Sequence, residues 1–429
     1  MKDLKVANES GLRCLKSVKN IVRALRYVED YFIEYSHAKY ASKSFKAQDY
    51  KTLSGNGRYF LINPKFSHEF KDYTDLRSGD VILSRGNAYS SAAIARIGDD
   101  DSQFSHLSLV YKDENNDLHT SEAHIEVGNV VAPIKVNIDQ ANARSVVFRH
   151  ADEKLSHLAG EYMYKKVKDY SDTYDKNIRY DFAMIYQDDS EIFCSEVVYH
   201  GYREAAKNYL GKPMDLPLYK THFKAGLIGF LQKLGIPVDE KNIDKFDTFG
   251  PGEIQFDPRF DIVAEWRNPS KLKDSRFKDA ILTKIFTWME KDEYSFRPHF
   301  GNTASHSAAW LLRRSKWARA LIKKVSGNDL KDKFPLNMGV KQMNLFVTLD
   351  KVGEVMYEEL ERHQKLSSSP LSFKELYIIL EEFKTKDQDV YKKYKAAKRE
   401  RLRNNSRARS FSRARGKVIR PKFHLSFRK

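Results

Sequence analysis

The sequence predicts an α+β protein, with a small, largely antiparallel sheet packed on one cysteine-bearing helix and helical regions appended at the N- and C-terminal ends. Three observations predict it. Short strand patterns separated by turn residues crowd between residues 79 and 149. Behind Cys194, the residues Val197, Val198, Gly201, Tyr202 and Ala205 recur at helical spacing. Helical periodicity also dominates residues 12–36 and most of the chain after 270.

Taken in order, residues 1–75 form an N-terminal helical region. Its helix, 12–36, carries Leu15, Val18, Ile21, Val22, Leu25, Val28, Phe32 and Tyr35 at helical spacing. The opposite face bears Lys16, Lys19, Arg23 and Arg26, with Glu29, Asp30 and Glu34 mixed in. This is a helix packed on a domain with a solvated polar face; contact with a membrane surface is the alternative. After a Gly/Lys-rich connector with a short strand at 59–62, strands are expected at 81–84, 104–111, 118–125, 130–134 and 145–149. Helices follow over 153–168 and from Cys194 onward, and this domain spans 76–268. Residues 269–391 read as a C-terminal helical region with patterns over 270–291, 306–325, 340–363 and 371–397.

The chain of 429 residues carries a net charge of +17, which suggests a nucleic-acid binder until the charge is mapped. Residues 392–429 hold sixteen Lys and Arg against the single acid Glu400, leaving 59 basic and 57 acidic residues elsewhere. The charge therefore belongs to a terminal stretch, expected to be a disordered basic tail. With Phe411, Phe423 and Phe427 between its cations, this tail suits an anionic surface, either nucleic acid or acidic lipid. A solubilising or sorting tail is the alternative. Two cysteines form no disulfide framework, and neither sits in a pattern recognisable as a zinc site, so no metal or cofactor is expected. No apolar run is long enough for a transmembrane segment. The first residues lack the apolar core of a secretory signal, so synthesis is expected in the cytoplasm, with export by a signal-independent route left open.

Cys194 stands at the start of its helix, where unpaired N–H groups and the macrodipole favour a thiolate. A nucleophilic cysteine needs an imidazole, and the imidazole needs an orienting acceptor. If residues 113–117 form a five-residue hairpin loop, His106 falls opposite His124 with Glu122 diagonal to it. Blander readings exist for each: a buried small residue for Cys194, a satisfied sheet-edge histidine for His106, and solvated carboxylates for Glu122 and Asp181.

A family resemblance rests on the order of several motifs. They are Gly79-Asp-Val-Ile-Leu-Ser-Arg-Gly86, Phe104-Ser-His106, Ser121-Glu-Ala123 with Gly128-Asn-Val-Val-Ala-Pro133, Tyr180-Asp-Phe182 and Phe193-Cys-Ser-Glu-Val-Val198. Together with the closing Asp257-Pro-Arg-Phe-Asp-Ile-Val-Ala-Glu-Trp266, this order resembles the circularly permuted NlpC/P60 cysteine hydrolases, in particular the YiiX/YebB-like group. The resemblance covers residues 76–268 and implies a permuted papain-like domain whose histidine strand precedes its cysteine helix. It implies Cys194 as nucleophile, His106 as base and Glu122 as the acid orienting His106, with His124 as the alternative third member. It also sets Tyr180 near the substrate pocket, beside Asp181. The implied reaction is thiol-dependent hydrolysis or acyl transfer on an amide or ester, from a peptidoglycan-type peptide to a lipid. A non-enzymatic anion-binding protein acting through its basic tail is the competing reading.

Overall fold

The computed structural model describes residues 15–44, 59–138, 142–297, 337–407 and 419–429. Cys14, the pattern at 306–325 and Phe411 lie outside the described residues. The fold is mixed α+β, built on a seven-stranded antiparallel sheet.

The strands are β1 (Phe60–Ile62), β2 (Val81–Arg85), β3 (His106–Lys112), β4 (Leu118–His124), β5 (Gly128–Pro133), β6 (Arg144–His150) and β7 (Phe260–Arg267). Their spatial order is β1-β7-β6-β2-β3-β4-β5. The late strand β7 is thus inserted between β1 and β6, pairing Phe60 with Trp266 and Ser145 with the same tryptophan on its other edge. Alternation sorts the sheet's two faces, because successive side chains point to opposite sides. Val81, Leu83, Leu107, Leu109, Val146 and Phe148 line one core with helices α4 (Glu153–Tyr174) and α5 (Cys194–Leu210). Ile82, Val110, Val147 and Val263 line the other, covered by Phe66, Phe70, Ile134 and Ile138. Gly160 and Gly201 let α4 and α5 come close to the sheet and to each other: a Cβ on Gly160 would lie 2.5 Å from the Val110 carbonyl oxygen.

Helix α1 (Leu15–Ser44) docks the other way round from its sequence pattern. Arg26, Asp30 and Glu34 are buried, whereas Ile21, Leu25, Val28 and Phe32 are exposed. The reason lies in what the body offers. Arg144 and Arg267 pair with Asp30, Arg276 with Glu34, and Glu253 with Lys19. A groove lined with charges is satisfied only by opposite charges, so the polar face turns inward.

Among the described residues the remaining α-helices are α2 (Tyr89–Ile94), α3 (Ile134–Ile138), α6 (Ile228–Leu234), α7 (Pro269–Asp292), α8 (Val340–Gln364) and α9 (Phe373–Arg407). The expected boundary at 268/269 is not a break in packing. One core joins Tyr89, Ala92, Phe230 and Leu231 to Phe277, Ile281, Leu349, Met356 and Leu380. Asp279 of α7 lies fully buried between Arg85 and Arg96, at 2.5 and 2.8 Å.

The basic stretch 392–429 is not a free tail at either end. The α9 pattern continues as helix to Arg407, and the last residues return to the body. Phe423 and Phe427 are buried against Trp288, Tyr294 and Phe296, which removes both from any stacking role. The Asp387 carboxylate secures the return by accepting from the backbone N–H groups of Lys422, Phe423 and His424, and it contacts His424 Nδ1 at 2.8 Å.

Candidate active site

Cys194 is the first residue of α5, preceded by Phe193 in extended conformation. The turn is locked from within the motif, because Glu196 Oε2 accepts from the Phe193 N–H at 2.6 Å and the Glu196 N–H donates to the Phe193 carbonyl. Burial, with the neighbouring Asp181 carboxylate, raises the Glu196 carboxyl well above its ordinary range. Upstream, the Asn129 side chain donates to the Ile192 carbonyl at 2.9 Å, tying the approach to the helix onto β5. The Cys194 thiol is buried and lies 3.8 Å from the Ser105 carbonyl, one residue before His106.

The hairpin between β3 and β4 pairs Lys112 with Leu118 and Leu109 with Ser121, so 113–117 is the five-residue loop the site requires. Continued to the strand ends, this register sets His106 opposite His124, and their rings stack at 5.1 Å between centroids. Thr120, Glu122 and His124 share one face of β4 by alternation. His106 Nε2 contacts Glu122 Oε2 at 3.0 Å, and His124 Nε2 contacts the same oxygen at 3.2 Å. Thr120 Oγ1 donates to Glu122 Oε1 at 2.6 Å, so both carboxylate oxygens are engaged.

The Cys194 and His106 side chains interact. Burial opposes charge on His106, but the hydrogen bonds to Cys194 and Glu122 outweigh it and push the imidazole up to about 10. Burial alone would raise Glu122, yet its hydrogen bonds from His106 and His124 hold it well below the usual carboxylate range. Cys194, His106, Glu122 and His124 therefore form one cluster, in which Glu122 is the direct acceptor for His106 and His124 a second contact on that acceptor. His124 is the most open of them.

Tyr180 and Asp181 stand differently. Tyr180 is buried in the core that includes Cys194; burial first, and then Cys194, raise its phenol well above the ordinary value. The Asp181 carboxylate accepts from the N–H groups of Ala183 and Ile185, at 2.6 and 2.7 Å, so it braces the loop after Tyr180. Thr120 escaped the sequence reading, although it stands two residues before Glu122 on the same strand face; Asn129 and Glu196 were read only as parts of the motifs, without a role.

The ligand atoms of His106, Glu122 and His124 lie within 4.8 Å of one another, a spacing that suits a cation. Any such ion would compete for the atoms that hold the His106–Glu122 contact. Among the described residues no helix is long and apolar enough to cross a membrane. No known protein family model matches this chain, and no curated protein matches it in sequence.

Proposed function

We propose that the protein is a cysteine hydrolase or acyltransferase of the permuted NlpC/P60 type, acting on an amide or ester bond. The observation that carries this reading is the 3.0 Å contact of His106 with a buried Glu122, with Cys194 at a helix N-terminus in reach of the same imidazole. The arrangement has a nucleophile, a base and an orienting acid in serial contact. The order of a histidine strand before a cysteine helix, with β7 inserted beside β6, is consistent with a permuted papain-like domain.

In the proposed cycle the Cys194 sulfur attacks the substrate carbonyl carbon, and its proton resides on His106. The C–N or C–O bond then breaks, and His106 passes the proton to the departing amine or alkoxide. Water, or a second acceptor, gives a proton to His106 and attacks the Cys194 thioester, releasing the acid or transferred acyl group and restoring the thiol. The Cys194 backbone N–H, in a helix turn whose N–H groups have no intrahelical acceptor, serves the developing oxyanion. Glu122 keeps His106 oriented and favours its protonated form.

The test pairs substrate consumption with active-site labelling. Peptidoglycan-type peptides and lipid esters are offered separately, and iodoacetamide alkylation of Cys194 is followed at neutral pH. Cys194→Ala is expected to abolish turnover, and His106→Ala to lower it by about 10²–10⁴-fold while slowing alkylation. Alkylation that is unchanged in His106→Ala removes the chemical basis of the reading.

A second reading, anion binding independent of catalysis, is favoured by one observation. Lys392, Lys393, Lys395, Lys398 and Arg399 are all exposed on α9, where their spacing distributes charge around the helix. A helix that is cationic on several sides suits the groove of a nucleic acid better than a flat bilayer, which calls for an apolar face. Replacing these five cations by Glu should abolish salt-sensitive binding to duplex DNA or RNA and leave Cys194 alkylation intact. Retained duplex binding removes this reading.

A further inference from the structure

The two histidines of the site converge on a single oxygen. Thr120 Oγ1 donates to Glu122 Oε1 at 2.6 Å, which leaves Oε2 to meet His106 Nε2 at 3.0 Å and His124 Nε2 at 3.2 Å. These ligand atoms lie within 4.8 Å of one another, and among the described residues no other His, Cys, Asp or Glu side chains form such a group of three. A serial relay of nucleophile, base and acid uses only Cys194, His106 and Glu122, so the proposed cycle gives His124 no step. Tetrahedral zinc, with bonds of about 2.0–2.2 Å to nitrogen and oxygen, sets its ligand atoms about 3.3 Å apart. The 3.0 and 3.2 Å edges match that spacing. The third edge, between the two rings, adjusts through His124, the most open of the three side chains.

We propose that His106, Glu122 and His124 bind a zinc-class divalent cation, and that this ion switches the cysteine site off. The donor set decides the metal. Two imidazole nitrogens with one carboxylate oxygen suit Zn²⁺ and its neighbours, whereas Mg²⁺ and Ca²⁺ call for oxygen ligands. Three protein ligands leave the fourth position to water, so no sulfur ligand is required. The Thr120 hydroxyl is the outer partner that aims the Glu122 carboxylate at the ion. Binding displaces the protons from both Nε2 atoms and sets the cation in place of the His106–Glu122 contact. His106 is then held by the metal and no longer serves Cys194 as a base. The switch rests on the cysteine chemistry proposed above; the metal site itself does not.

The experiment is titration of the full chain, first stripped with a chelator, using Zn²⁺ in a calorimeter and Co²⁺ followed by visible absorption. Wild type should bind Zn²⁺, Co²⁺ should show the intense bands of a low-coordinate site, and excess Mg²⁺ should compete with neither. His124→Phe keeps a ring for the 5.1 Å stack on His106 but offers no ligand atom. It should weaken Zn²⁺ binding by more than the roughly 10–100-fold that losing an outer partner costs, and Thr120→Val should fall within that range. Cys194→Ala should bind as wild type, and circular dichroism melts without metal verify that each variant is folded. Zn²⁺ should also slow iodoacetamide alkylation of Cys194 by about tenfold or more, reversibly on chelation, and His124→Phe should need correspondingly more of it. Zn²⁺ binding that is unchanged in His124→Phe, or lost in Cys194→Ala, overturns the site. Bound Zn²⁺ that leaves alkylation unaltered, or that raises turnover, overturns the switch. If Cys194 is inert with and without metal, the hydrolase reading fails and the switch with it, while the titrations still decide the site.

Discussion

At the scale of residues, the site is governed by one carboxylate. Glu122 accepts at Oε1 from Thr120 and meets His106 and His124 at Oε2, so its position and its charge are both held. The same contacts couple the site to pH. His106 is raised from an ordinary 6.5 to about 10, so its stabilising contribution is complete below 6.5 and is lost as pH rises through about 10. Glu122 is depressed, so its contribution is present above the ordinary carboxylate range and is lost as pH falls. Turnover should accordingly hold through neutral pH and fall on the alkaline side as His106 deprotonates. Glu122→Gln, which keeps the size but not the charge, should move that alkaline limb down by about 1–3 units. A pH–rate profile with the limb unmoved would mean that Glu122 does not set the charge of His106.

At the scale of elements, the informative piece is the end of the chain. Its composition argues for a solvated tail, yet Phe423 and Phe427 find an aromatic socket around Trp288, Tyr294 and Phe296. Asp387 fastens the return by taking three backbone N–H groups and the His424 ring. Removing it leaves those donors buried without an acceptor, which costs more than the bonds themselves. Asp387→Ala should lower stability by about 3 kcal/mol and make the segment after Arg420 the first site of limited proteolysis. An unchanged digestion pattern would mean that the aromatic contacts alone hold the segment.

At the scale of the whole molecule, helices and sheet are joined by buried ion pairs as well as by apolar contacts. Asp279 on α7 meets Arg85 from the end of β2 and Arg96 from the loop after α2, and opposing guanidinium charges keep its carboxyl below the ordinary range despite burial. Asp279→Ala would leave two buried cations without their partner. It should lower unfolding stability by about 3–5 kcal/mol, read from the urea midpoint. If the appended helices were an independent module, the same substitution would split the transition into two, with the sheet and the Cys194 alkylation rate unaffected.

The sequence by itself determined the periodic elements and the pairing of β3 with β4. Alternation and the loop at 113–117 suffice to set His106 against His124, because a strand's side chains repeat every two residues and a hairpin's register follows from its loop. The start of α5 at Cys194 was legible for a similar reason, since the apolar stripe behind it is local. Three things were decided only by tertiary structure. Asn129 became a support of the site by donating to the Ile192 carbonyl from another strand, while α1 turned its charged side inward because Arg144, Arg267 and Arg276 gather from distant positions to receive it. The terminal phenylalanines left solvent because residues far back in the chain assembled an apolar socket, whereas composition counts charges without knowing what lies opposite them.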